Sequence, residues 1–96
     1  MATPESKVKA RVKAILKNLG AYYVMPVTSG YGNSGAPDFL VCIRGKFIGI
    51  ECKSGNKKPT ALQLKNLDLI DKAGGWTFVI NEENVSSLVN LDSLIE

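Results

Sequence analysis

The segment Gly35–Lys53 constrains the fold more than any other part of this chain. Two apolar runs, Phe39-Leu40-Val41-Cys42-Ile43 and Phe47-Ile48-Gly49-Ile50, flank a short polar turn at Arg44-Gly45-Lys46. β-Branched and aromatic residues around a glycine-containing turn predict a β-hairpin. With Arg44-Gly45 as a two-residue loop, Ile43 pairs with Lys46. Counting outward, Cys42 faces Phe47, Leu40 faces Gly49 and Asp38 faces Glu51. The favoured turn type requires positive φ at Arg44, and a bulged or three-residue loop would instead slip the register by one. Side chains alternate along each strand. Phe39, Val41, Ile43, Ile48, Ile50 and Cys52 therefore share one face, suited to packing on a helix. Asp38, Glu51 and Lys53 share the other.

That second face points to chemistry. Directly opposed strand residues have Cβ atoms about 4.5–5.5 Å apart, and like charges at that distance destabilise the pair. A divalent cation removes the conflict, because Mg²⁺ takes carboxylate oxygens and keeps several waters. The plainer reading is that Asp38 opens a strand after a proline turn, while Glu51 and Lys53 close one and meet solvent. That reading suits any one of the three. Three together, in register and on one face, favour a site.

The 96 residues suffice for one domain, 1–96, with one modest core. No run is long enough to span a membrane, and the N-terminus lacks the apolar core of a signal peptide. The expectation is a soluble, cytoplasmic protein. The net charge is only +3, but it is unevenly spread. Lys7, Lys9, Arg11, Lys13 and Lys17 crowd the first predicted helix, and Lys53, Lys57 and Lys58 follow the hairpin. Such clusters suit a phosphate backbone or simply a solvated face. Cys42 and Cys52 point to opposite faces and cannot bond to each other; both are expected to be buried thiols in a reducing compartment. The chain has no histidine, which argues against zinc sites and histidine-based triads.

Thr3 and Pro4 supply a cap and first position for a helix ending near Leu19, before Gly20. Its apolar stripe is Val8, Val12, Ile15, Leu16 and Leu19. Glu5 lies on that stripe, aimed at whatever the stripe packs on; equally, an acid in the first turn complements the helix dipole. Ala21–Val27 reads as a strand whose end Pro26 puts at an edge or bulge. Thr28–Ala36 is a glycine-rich loop with Tyr31 and Asn33, either a flexible connector or a nucleic-acid contact. A second helix is expected from Thr60 to about Ala73, stopped by Gly74-Gly75, with Leu62, Leu67 and Ile70 inward. Thr60 and Gln63 form a capping box. Gln63 also lies where it could reach a phosphate or the attacking water. Trp76–Ile80 reads as a short strand. Val85, Leu88, Leu91, Leu94 and Ile95 predict one or two short helices that cover the sheet or join a dimer surface.

Pro37-Asp38, a gap of twelve residues and Glu51-Cys52-Lys53 resemble the PD-(D/E)xK signature of the restriction-endonuclease-like nucleases. The predicted order α-β-β-β-α-β(-α), an α/β fold with a mixed central sheet flanked by helices, matches that superfamily's core. Over almost the whole chain the pattern most resembles a stand-alone VRR-NUC (virus-type replication-repair nuclease) domain, in Glu5, Gly35-Ala36-Pro37-Asp38, Glu51-Cys52-Lys53 and Gln63. One superfamily variant has Gln-x-x-x-Tyr in the second helix; here the last position is Leu67.

The resemblance implies a Mg²⁺- or Mn²⁺-dependent endodeoxyribonuclease. Asp38 and Glu51 would be direct metal ligands, joined by the backbone carbonyl of Cys52, with Glu5 binding directly or through water. Lys53 would orient and help deprotonate the attacking water or stabilise the charged phosphate, with Gln63 assisting. The analogy further implies a homodimer acting on branched DNA such as a four-way (Holliday) junction, with Tyr22, Tyr23, Tyr31 or the C-terminal apolar stripe at the interface. Two other readings compete. A catalytically silent DNA-binding module predicts salt-sensitive binding without cleavage. A structural or subunit-assembly protein predicts no DNA binding.

Overall fold

The computed structural model describes residues 3–27 and 35–96. Thr3 caps helix α1 (Pro4–Asn18) by accepting the Ser6 N–H. Gly20, at φ 74°, turns the chain out of the helix. Four strands follow in sheet order β1 (Tyr22–Val24), β2 (Phe39–Ile43), β3 (Lys46–Cys52) and β4 (Trp76–Ile80). The first two pairings are antiparallel and β3 pairs with β4 in parallel. That parallel pairing needs a crossover, supplied by helix α2 (Ala61–Lys72). A 3₁₀ helix (Val85–Asn90) and the four-residue α3 (Leu91–Leu94) complete the chain.

The hairpin register is the expected one, from Ile43 opposite Lys46 to Phe39 opposite Ile50. The loop is Arg44-Gly45, with φ of 49° and 77°, the doubly positive turn that matches strand twist. The apolar face of the hairpin is fully buried against Val8, Val12 and Leu16 of α1 and Val85, Leu88, Leu91 and Ile95 of the C-terminal turns. The C-terminal stripe therefore covers the sheet, except for Leu94, which stays exposed. Helix α2 lies over the opposite face. Gly49 makes the close approach possible, since a Cβ there would fall 2.7 Å from Ile70 Cδ1 and 3.2 Å from Pro37 Cγ.

Some expectations change. Cys42 is exposed, not buried. It lies on the α2 side of the sheet but at the turn end of the hairpin, opposite the exposed Tyr22 and Phe47. Strand β1 is three residues rather than seven, as Pro26 has no N–H to continue a ladder. Leu62 is exposed: the inward stripe of α2 runs through Gln63, Asn66, Leu67 and Ile70, which leaves Leu62 off it. Residues 28–34, with Tyr31 and Asn33, lie outside the described part. Among the described residues no helix is long and apolar enough to cross a membrane.

Candidate active site

The mouth of the hairpin, opposite its turn, gathers the charged residues. One step beyond Phe39–Ile50 in the ladder, Asp38 leaves the strand and its Oδ2 accepts the Cys52 N–H at 2.8 Å. This bond fixes the carboxylate against the end of β3. Glu51 lies on β3, an inner strand, opposite Val79 of β4. Lys53 follows on the same face, its N–H donating to the Ile80 carbonyl at 2.9 Å. Its Nζ is 3.6 Å from Glu51 Oε2.

Glu51 is the buried acid of this group. It is 2% exposed, and its Oε1 is buried without a hydrogen-bond partner among the described residues. Burial first, and the Asp38 charge second, push its carboxyl up to about 7, against the restraining Lys53 ammonium; Glu5 adds a smaller upward push. An unsatisfied buried carboxylate oxygen is costly. It calls for a proton or a cation. The Cys52 thiol is different: it faces the core, and burial with the nearby carboxylates pushes it up to about 12. Only the Cys52 backbone belongs to the site.

Glu5 and Gln63 stand differently from these three. Glu5, in the first turn of α1, has its Oε2 3.8 Å from Lys9 Nζ. Gln63 completes the capping box, its Oε1 accepting the Thr60 N–H at 2.9 Å. Sequence reasoning placed Lys9 in a basic surface cluster, yet its Nζ is 3.3 Å from Asp38 Oδ1. Burial works against the Lys9 charge, but Asp38 and Glu5 outweigh it and raise the ammonium's pKa. The signal available in the sequence was the Glu5–Lys9 spacing of four, which puts both on one helix face.

Among the described residues no three Asp, Glu or Cys side chains form a group that could hold a metal ion. The set is smaller: two carboxylates, one with an orphaned buried oxygen, beside a lysine. That set fits Mg²⁺, which binds through one or two carboxylates and fills its sphere with water and substrate phosphate.

No family model matches the chain. A solved structure described as a VRR_NUC domain is similar to it with a TM-score of 0.79 at 32% identity, over 93% of this chain and 97% of that one. A second, described as a VRR_NUC domain protein, has a TM-score of 0.71 over 99% of this chain and 89% of that one; at 15% identity the likeness is of fold alone. A protein of Acyrthosiphon pisum secondary endosymbiont phage 1, named "Putative nuclease p44", is 36% identical over 59 residues. That match spans 60% of this chain and 63% of the phage protein, less than two thirds of its length.

Proposed function

The chain belongs to the VRR-NUC family, and from that premise we propose that it is a divalent-cation-dependent endodeoxyribonuclease. The observation that carries this reading is the buried Glu51 Oε1, unpartnered among the described residues, in a carboxyl group flanked by the Asp38 charge and the Lys53 ammonium. Asp38 and Glu51, with the Cys52 backbone carbonyl, would hold Mg²⁺ or Mn²⁺. Such an ion polarises a phosphoryl oxygen and lowers the pKa of a bound water. Lys53 places a fixed positive charge on the same face, where it stabilises negative charge building on the phosphate as water attacks and the P–O ester bond breaks. Glu5 acts at longer range, and Gln63 serves the α2 cap.

We further propose a branched DNA substrate, such as a four-way junction, cut by a homodimer. Paired cuts require two sites, and the described residues form one. The exposed Tyr22, Val24, Met25 and Val27 lie on or beside the edge strand β1, a surface suited to a second copy. An exposed free Cys42 and an unbonded Cys52 suit the reducing cytoplasm.

The test is cleavage of labelled four-way junction and of linear duplex with the same arms, in Mg²⁺ or Mn²⁺, by wild type and Asp38→Ala. Paired junction cuts abolished by the substitution support the whole reading. Equal cutting of both substrates keeps the nuclease and removes junction preference. Metal-independent binding without cutting leaves a silent DNA-binding module.

A further inference from the structure

The geometry points to Lys9 as an internal counter-ion that a divalent cation must displace from the carboxylate site. This inference rests on the metal-site reading above and adds a residue that reading did not use. Asp38 has two oxygens with different duties. Oδ2 accepts the Cys52 N–H at 2.8 Å, which orients the carboxylate. Oδ1, the oxygen outside that backbone bond, is 3.3 Å from Lys9 Nζ. The same ammonium lies 3.8 Å from Glu5 Oε2. One Lys9 charge thus bridges Asp38 and Glu5, two of the residues that the family pattern assigns to the metal.

The chemistry of the exchange is direct. An ammonium and a divalent cation compete for the same carboxylate oxygen, and the dication wins only after breaking the pair. The Lys9 side chain is 33% exposed and sits on a helix, so the ammonium can swing to solvent on its four-carbon stem without unfolding anything. It therefore offsets part of the site's negative charge without metal and gives way when metal arrives. A fixed structural pair would instead keep Lys9 on Asp38 and admit the cation from the Glu51 side alone.

The experiment is calorimetric titration of Mn²⁺ into the full chain without DNA at pH 8, for wild type, Lys9→Met and Lys9→Arg. Methionine keeps an unbranched side chain and good helix propensity but removes the charge. The expected result is Mn²⁺ binding to Lys9→Met tighter than wild type by about three- to tenfold, the size of one modest ion pair. Arginine keeps the charge and forks onto carboxylates, so Lys9→Arg is expected to bind Mn²⁺ no tighter than wild type. The Mn²⁺-induced rise in melting temperature is expected to be larger for Lys9→Met than for wild type. Equal or weaker Mn²⁺ binding by a folded Lys9→Met overturns the displacement and leaves the metal reading standing. Absence of Mn²⁺ binding in all three proteins overturns both.

Discussion

The Cys52 N–H donates to Asp38 Oδ2 at 2.8 Å across the open end of the hairpin. One bond therefore does two things: it closes the ladder beyond Phe39–Ile50 and aims a carboxylate along the face that holds Glu51. Asp38→Asn and Asp38→Ala separate these roles. Asparagine keeps an oxygen for the N–H and loses the charge; alanine loses both. Both are expected to abolish cleavage. Only Asp38→Ala is expected to lose substantial stability, about 1.5–3 kcal/mol for a hydrogen bond to a charged group. Urea unfolding at pH 7 checks the difference.

Much of this arrangement was legible in the sequence because strand alternation is rigid. Fixing the loop at Arg44-Gly45 fixed which residues face each other, and the pairings of Cys42 with Phe47 and Leu40 with Gly49 followed; the expected Asp38–Glu51 pair did not form as a ladder pair, because Asp38 leaves the strand one step beyond Phe39–Ile50. What was hidden depends on tertiary cover. Cys42 reads as a buried thiol by residue type, but the crossover helix α2 packs on β3 and β4 and leaves this position of β2 exposed. Leu62 reads as core by hydrophobicity, but the helix turns Asn66 inward in its place, where Nδ2 donates to the Leu62 carbonyl. Lys9 reads as one of five helix cations. Its distinction comes from Asp38, brought to it through the chain reversal at the sheet, and local composition does not carry that.

Glu51 makes stability depend on pH in an unusual direction. Its carboxyl titrates near 7 when folded, against an ordinary value of 4.5. Between those values the folded chain holds a proton that the unfolded chain has released, so metal-free stability falls as pH rises through this window. The loss is at most about 3 kcal/mol, from 1.36 kcal/mol per pH unit. Glu51→Gln removes it, so the wild-type drop between pH 5 and pH 8 in EDTA should exceed that of the variant. Saturating Mg²⁺ should shrink the wild-type drop. Denaturant melts at the two pH values check this, and parallel wild-type and Glu51→Gln curves would refute it.

Gly49 sets the distance between α2 and the sheet. A Cβ at this position meets the tip of Ile70 at 2.7 Å and Pro37 at 3.2 Å. The Ile70 tip can rotate away from one added methyl, but valine brings two more carbons. Gly49→Val is expected to destabilise by about 1–3 kcal/mol, as overpacking does. Because Pro37 precedes Asp38, cleavage should fall beyond what the unfolded fraction explains. Trimming the partner in a Gly49→Val/Ile70→Val double variant should recover part of the stability, which thermal melts of the set will show.

Lys53 separates binding from chemistry. Its ammonium is 3.6 Å from Glu51 Oε2, and its side chain is 13% exposed. Lys53→Met leaves the carboxylates in place but removes the positive charge proposed to meet the phosphate. Single-turnover cleavage is expected to fall by about 10²–10³-fold, as when one preorganised stabilising group is lost. Mn²⁺ affinity should stay within a few-fold, since Lys53 pairs with Glu51 Oε2 and leaves Oε1 to the metal. The same change removes the cation that restrains Glu51, so its carboxyl should titrate above 7 and the stability deficit should be larger at pH 8 than at pH 5. Loss of Mn²⁺ binding together with cleavage would instead mean that Lys53 only holds Glu51 in place, which single-turnover rates and Mn²⁺ titration, measured on the same preparation, distinguish.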